Sequence, residues 1–340
     1  MIRAVLFTGI ALLLLTYTTL TLSTLIGTQL QLPTTPLDID NHTSLHVNHQ
    51  VREVRNTKIV GFCNYNYRSV GKKWYKRLTR LGYTTHVLVA TDLNMKAHLE
   101  SSQETYRFDV ALAEPIPLKL DGKRKTKRDR AELELLFAVR WKYLLSQLEK
   151  GIHVLLTDVD NIFSKFLNLK DRVEDFDPSV DIWFAYATKY PNKVFAQQGF
   201  TVCGGMSWWR ASKPAIEFAR LIHESCGIMC DDQRLLNNLL LQANITWDWT
   251  PAVLNSRVQD GDERFAGLLT LGLKGESAKT GYKAHIWDRD FAFRGHLQPN
   301  ECPKDNWISM PIVDAKSRHQ NWIAKFDSFD TWDRQCGKKS

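Results

Sequence analysis

The segment that most restricts the fold is His153–Phe163, HVLLTDVDNIF, in which the apolar-rich run Val154-Leu155-Leu156-Thr157 ends in two carboxylates, Asp158 and Asp160. A helix-like stretch at Asp129–Leu148 precedes it, closed by Lys150-Gly151, a helix-stop signal. A helix that hands over to a short apolar strand is the unit of an α/β sheet, and ligands of such sheets bind beyond the carboxyl ends of the strands. In an extended segment, residues i and i+2 point the same way, so both acids can converge on one hard cation. The spacing alone is not selective, because Asp38/Asp40, Asp175/Asp177, Asp260/Asp262 and Asp288/Asp290 share it. Only Asp158/Asp160 directly follows a clean apolar run, which makes it the candidate metal site, with a buried turn cap as the structural alternative.

Strand and helix signals alternate around this segment. Lys58–Cys63, Thr85–Ala90, Asp181–Tyr186 and Val202–Trp209 read as strands. Arg68–Leu81, Pro214–Glu224 and Asp232–Ala243 read as helices. With glycines at the joints, the order predicts a mixed but largely parallel sheet flanked by helices, without a dinucleotide fingerprint. The last hundred or so residues, rich in Trp, Gly and isolated charges, give no clear elements and read as an irregular acceptor-facing half of the same domain. Trp208-Trp209 on a strand would face opposite ways, which puts one of the two in the core.

From Ala4 to Leu37 there is no charged residue, and 4–27 is apolar enough and long enough to span a bilayer. Arg3 precedes this span and Asp38 follows it, so the positive-inside rule leaves residues 1–3 as a cytoplasmic tail. A cleavable signal peptide would have a shorter apolar region and a small-residue cleavage site. The expectation is therefore a single-pass type II anchor, a stem at 28–56 and a lumenal domain at 57–340. Two sequons, at Asn41 and Asn244, fit a secretory lumen, as do six cysteines that all follow the span and whose even number permits complete pairing. Cys226-Gly-Ile-Met-Cys230 lacks the second ligand pair of a zinc finger and reads as a disulfide or two buried thiols.

A formal charge of +8 and a pI near 9.1 come without any nucleic-acid-binding motif, so the excess reads as attraction for anions such as nucleotide diphosphates. The densest charge, Lys119–Arg130, is a solvated loop before a helix or a mobile basic flap.

Four segments, taken in order, resemble the nucleotide-diphospho-sugar transferase family, and are similar to glycosyltransferase family 77, type II Golgi enzymes with the GT-A fold. They are Arg140-Trp141-Lys142 leading into LLTDVDNIF; Gly204-Gly205-Met-Ser-Trp-Trp-Arg210-Ala-Ser212; Asp232-Gln233-Arg-Leu-Leu-Asn237; and His319-Gln-Asn321-Trp322. Val202-Cys203 before the glycines departs from the Asn that relatives often carry there.

The resemblance implies a GT-A-like, Rossmann-type domain that moves a sugar from a nucleotide diphosphate, with a UDP-sugar as expected donor, to a glycan or glycoprotein. A pentose or galactose would be transferred, with retention. It implies Asp158, Asp160 and His319 as metal ligands, and manganese rather than magnesium because an imidazole suits it better. It implies Arg140, Lys142, Asp158, Gly205, Asn237 and Asn321 at the donor, with Lys142 favoured over Arg140 as the residue that reaches it. Asp232 would orient the hydroxyls of the transferred sugar, and Gln233 would lie near its anomeric carbon. Asp is equally a common helix cap, a duty that would occupy Asp232 without catalysis.

Two other classes compete. In a haloacid-dehalogenase-like phosphatase Asp158 would be the nucleophile and Asp160 the general acid, with Asp231-Asp232 as late metal ligands, although Ile162 stands where that family has Thr or Val. A non-catalytic lumenal carbohydrate-binding protein would keep the fold without needing the full set of acids.

Overall fold

The computed structural model describes residues 56–113, 125–163, 177–187, 189–248, 272–288, 291–295 and 308–311. The expected tail and anchor, and nearly all of the stem, lie outside these residues, as do His319 and Asn321. Among the described residues no helix is long and apolar enough to cross a membrane.

The first half of the described chain alternates strictly. Strand β1 (Thr57–Cys63) leads through a single 3-10 turn to helix α1 (Arg68–Arg80), followed by β2 (His86–Ala90), α2 (Leu93–Glu100), β3 (Phe108–Val110), α3 (Lys125–Leu148) and β4 (His153–Asp158). After β4 come the two-residue β5 (Ile162–Phe163), β6 (Ile182–Tyr186), α4 (Asn192–Gln198), β7 (Val202–Trp209), α5 (Lys213–Cys226) and α6 (Asp232–Gln242). The remainder is short strands: β8 (Ile245–Trp247), β9 (Leu273–Ser277), β10 (Lys283–Ile286), β11 (Ala292–Gly295) and β12 (Ile308–Pro311).

Helix α5 shows why these residues choose their elements. Pro214 sits in its first turn, where a missing N–H costs nothing, and Ala215, Phe218, Ala219, Ile222 and Cys226 form one buried stripe at helical spacing. By contrast β4 and β7 are apolar on both sides, the pattern of strands covered on two faces.

Nine strands form one sheet in the order β3-β2-β1-β4-β7-β6-β10-β9-β8. Strands β3, β2, β1 and β4 run parallel, but β7 enters antiparallel between β4 and β6, and β9 is antiparallel to both of its neighbours. The sheet is thus mixed, and seven of its nine strands run in one direction, with β7 and β9 opposed. The antiparallel pairings around β7 arise because the chain reverses direction after α4 and returns inside the sheet, a choice made by contacts distant in sequence. A second sheet of order β11-β12-β5 ties the segment just after Asp160 to strands far along the chain.

Two apolar layers cover the large sheet, one packed under α1 and the other under α3, α5 and α6. Trp208 belongs to the first and Trp209 to the second, and both are buried, so the expectation that one alone is core is corrected. A central strand with both faces covered has no solvent side for either ring.

Cys226 and Cys230 form a disulfide, whereas Cys63 and Cys203 are buried thiols, so complete pairing of the six does not hold. Cys302 and Cys336 lie outside the described residues.

Candidate functional site

The chain passes from β1 outward to β2 and β3, then returns through α3 to place β4 on the other flank of β1. This is a topological switch point, and the crevice of an open α/β sheet opens there, at the carboxyl ends of its strands. Asp158 is the last residue of β4 and pairs in register with Phe62 near the end of β1, so its carboxylate stands at that crevice. Past Asp158 the chain turns, with the N–H of Asn161 donating to the carbonyl of Asp158 at 3.1 Å. Asp160 therefore lies in a turn, not on an extended segment, and the strand-alternation argument for its direction does not apply.

Antiparallel pairing of Thr157 with Met206 makes Asp158 and Gly205 the next opposed pair. A Cβ on residue 205 would lie 1.9 Å from Oδ2 of Asp158, and one on residue 204 would lie 2.7 Å from Oδ2 of Asp232. Both are closer than atoms can pack, so these two glycines let two carboxylates approach the backbone of β7. Asn161 fixes the same contact, its Nδ2 donating to the carbonyl of Gly205 at 2.9 Å and to Oγ1 of Thr157 at 3.0 Å. Its importance was not foreseen, since an Asn after a carboxylate looks like ordinary turn chemistry.

Arg140 is the hub. Its side chain is 1% exposed, and Nη1 donates to Oδ1 of Asp158 at 2.8 Å while Nη2 donates to the carbonyl of Gly204 at 2.9 Å and to Oδ2 of Asp232. Burial works against the guanidinium charge, but Asp232 and then Asp158 outweigh it and hold its pKa above the usual value. Burial pushes the Asp232 carboxyl up to about 6, with Arg140 pulling down and Asp158 pushing further up. The Asp158 side chain, in contrast, is 45% exposed and can meet a ligand directly. One buried cation thus joins an exposed acid to a buried one.

Lys142 is exposed on the same helix, two positions and so about 200° around from Arg140. Arg140, rather than the favoured Lys142, is the basic residue brought to the two acids, because the rotation of α3 against the sheet turns that side inward.

The N-terminus of α6 resolves the capping question. Asp231 is the cap, its Oδ1 accepting from the N–H of Arg234 at 3.0 Å, which leaves Asp232 one residue inside the helix and free to face Arg140. Gln233 is half-buried, and its Nε2 donates to the carbonyl of Tyr190 at 2.8 Å. Asn237 is fully buried and clasps Val202, accepting from its N–H at 2.8 Å and donating to its carbonyl at 2.9 Å and to that of Gln233 at 2.7 Å. Every polar hydrogen of that amide is used, so the expected donor contact of Asn237 gives way to holding α6 against the start of β7. Arg210 likewise is structural, with Nε donating to the carbonyl of Val180 at 2.9 Å.

Carboxylate oxygens at this rim suit a hard divalent ion: Asp158 is half-exposed, and Asp160 is partly exposed two residues on. The third expected ligand, His319, lies outside the described residues, and among those described no three His, Cys, Asp or Glu side chains are grouped to hold a metal.

A family model described as nucleotide-diphospho-sugar transferase matches residues 82–288, more than half of the chain. No curated protein sequence matches. Among solved structures, the chain is similar to the galactosyltransferase LgtC in complex with donor and acceptor sugar analogs, with 13% identity over 80% of this chain and 94% of that one and a TM-score of 0.41. It is similar also to the mannosyltransferase Ktr4p from S. cerevisiae, with 10% identity over 60% of this chain and 76% of that one and a TM-score of 0.32. A third, the glycosyltransferase GlyE in Streptococcus pneumoniae TIGR4, shares 16% identity over 54% of this chain and 43% of that one, with a TM-score of 0.31. The matched stretch contains the switch-point acids, Arg140, the paired glycines and the start of α6, and the chain is a glycosyltransferase that belongs to the nucleotide-diphospho-sugar transferase family.

Proposed function

We propose that the protein is a metal-assisted, retaining glycosyltransferase that moves a pentose or galactose from a nucleotide diphosphate, with UDP as the nucleotide, to a glycan or glycoprotein, and that it resembles glycosyltransferase family 77. The single observation that carries the reading is the buried Arg140 bridging Asp158 and Asp232 against the two glycines of β7 at the switch point. Asp158, Asp160 and His319 would hold a divalent ion, manganese in preference to magnesium. Such an ion supplies Lewis-acid neutralisation of the charge that grows on the leaving diphosphate.

The chain's own residues do the rest. Asp232, ionised at neutral pH and fixed by Arg140, accepts hydrogen bonds from hydroxyls of the transferred sugar, so the sugar is oriented before its bond breaks. Gln233 presents its carboxamide beside the anomeric carbon, and Asn321 contributes to the donor side. The departing diphosphate itself would stabilise positive charge on the sugar. The N-terminal apolar segment would anchor the enzyme as a single-pass type II protein of the Golgi membrane, with this domain lumenal.

The test pairs binding with turnover. Purified 57–340 is assayed against a panel of nucleotide sugars with manganese, magnesium or chelator, and nucleotide-diphosphate binding is measured calorimetrically in wild type and Asp160→Ala. Transfer from one UDP-sugar, with manganese-dependent binding lost in Asp160→Ala, is the expected result. Turnover of no donor, together with binding unchanged by Asp160→Ala, refutes the proposal.

A further inference from the structure

Gln233 has two chemically different ends, and the fold selects between them. The carbonyl of Tyr190 can only accept a hydrogen bond, so the end of the carboxamide 2.8 Å from it must be the NH2. Oε1 is thereby turned away, and it takes no hydrogen bond among the described residues. Fixing that choice requires that the Tyr190 carbonyl itself stay in place, although it lies in the loop between β6 and α4.

Tyr190 is fastened by its other end. Its phenol donates to Oδ2 of Asp231, and Nε of Arg234 donates to the phenol oxygen at 3.1 Å. The Arg234 guanidinium also lies 5.6 Å from the centroid of the Tyr190 ring. Burial, then the Asp231 carboxylate, pushes the phenol pKa up, so it remains a donor at every pH at which the protein would work. Asp231 in turn caps α6 through the Arg234 N–H. One tyrosine therefore clasps three residues at the helix start, Asp231 and Arg234 through its hydroxyl and Gln233 through its main chain. Little apolar burial accompanies the clasp, since Tyr190 and Gln233 are half-buried and Arg234 is exposed, so a purely structural purpose has small gain.

We propose that Tyr190 is a positioning residue for sugar transfer: by clasping the first turn of α6 it fixes the carboxamide of Gln233 with Oε1 toward the pocket. This rests on the reading of Asp232 and Gln233 as the residues that face the transferred sugar. Misplacing a group beside the reacting centre by an ångström costs up to about a hundredfold in rate.

The experiment uses the 57–340 chain and the conservative variant Tyr190→Phe, which keeps the ring and the main-chain carbonyl. Hydrogen exchange of the peptide covering 230–238, the melting temperature, and kcat and donor KM are measured together. Expected are faster exchange in that peptide, an unchanged melting temperature, and kcat lowered about tenfold with donor KM within about twofold, because orientation and not binding is lost. Gln233→Glu, which sets an oxygen against the Tyr190 carbonyl, should speed exchange at 187–191 in the same way. Unchanged exchange or unchanged kcat in an active Tyr190→Phe overturns the positioning role and leaves the proposed function standing, as does a kcat loss matched by a fall in melting temperature. A wild type that transfers no sugar overturns both.

Discussion

Gly205 and Asp158 occupy one space between them. The carboxylate fills the volume that any side chain at 205 would need, 1.9 Å from where its Cβ would begin. Gly205→Ala must therefore push Asp158 out of its bond with Arg140 or open β4 from β7. Because Asp158 is the half-exposed partner, it is the one that moves, and the sheet persists. The expected outcome is a fall in kcat/KM of about a hundredfold or more with circular dichroism unchanged. Gly204→Ala meets Asp232 at 2.7 Å, where the buried carboxylate has no exit, so that variant should instead lose melting temperature. At this scale the sequence marked Asp158 by its place after an apolar run, whereas Arg140, Gly205, Asp232 and Gln233 entered through the family resemblance. It did not reveal which of Arg140 and Lys142 turns inward, because the rotation of a helix about its axis is set by packing against a sheet that a linear pattern does not contain. Nor did it show that Asp231, and not Asp232, caps the helix.

Helix α6 delivers two of the proposed site residues from its first turn, and the Cys226–Cys230 disulfide closes the short loop that joins it to α5. Backbone N–H of Cys230 also donates to the carbonyl of Glu134 on α3, the helix that carries Arg140. By loop-closure entropy alone, so short a ring contributes about 2 kcal/mol. Cys226→Ser is expected to lower the unfolding free energy by about that much in urea titration, and mild reduction of the wild type should do the same. Elements with strong periodicity, α1, α5, α6, β4 and β7, were readable to within a residue or two of their ends. Strands β8 to β12 were not, since three- to five-residue strands with polar and glycine positions, such as Leu273–Ser277, carry no periodicity that outweighs a loop reading. The antiparallel entry of β7 was equally hidden, because strand direction is decided by partners some fifty residues away.

At the scale of the whole molecule, two buried histidines among the described residues lower stability in acid. Burial lowers His86 and His285 from 6.5 to about 4, the first bonded to Thr79 at 3.0 Å and the second stacked on Trp183 with ring centroids 3.8 Å apart. Between pH 6.5 and 4 the unfolded chain protonates both while the native one does not, so each costs up to about 1.4 kcal/mol of stability per pH unit as pH falls. Asp232 acts oppositely: its native pKa is raised to about 6 from 3.8, so its ionisation weakens the fold as pH rises through that window. Two histidines against one carboxylate leave a net loss on acidification. Urea midpoints should fall from pH 6.5 to 4, and His86→Gln should remove most of that slope, because one histidine then stands against one carboxylate.

The sheet itself is built from two unlike parts. Strands β3, β2, β1 and β4 are a parallel set wound with helices, and β7 opens a region of mixed directions. Asp158 is the last residue of one part and Gly205 lies within the first strand of the other, so the carboxylate and the space that accommodates it are contributed from opposite sides of a seam. Positions 158 and 205 therefore constrain each other, and a chimera joined between β4 and β7 keeps its site only when both sides of the seam agree on where the small residue stands.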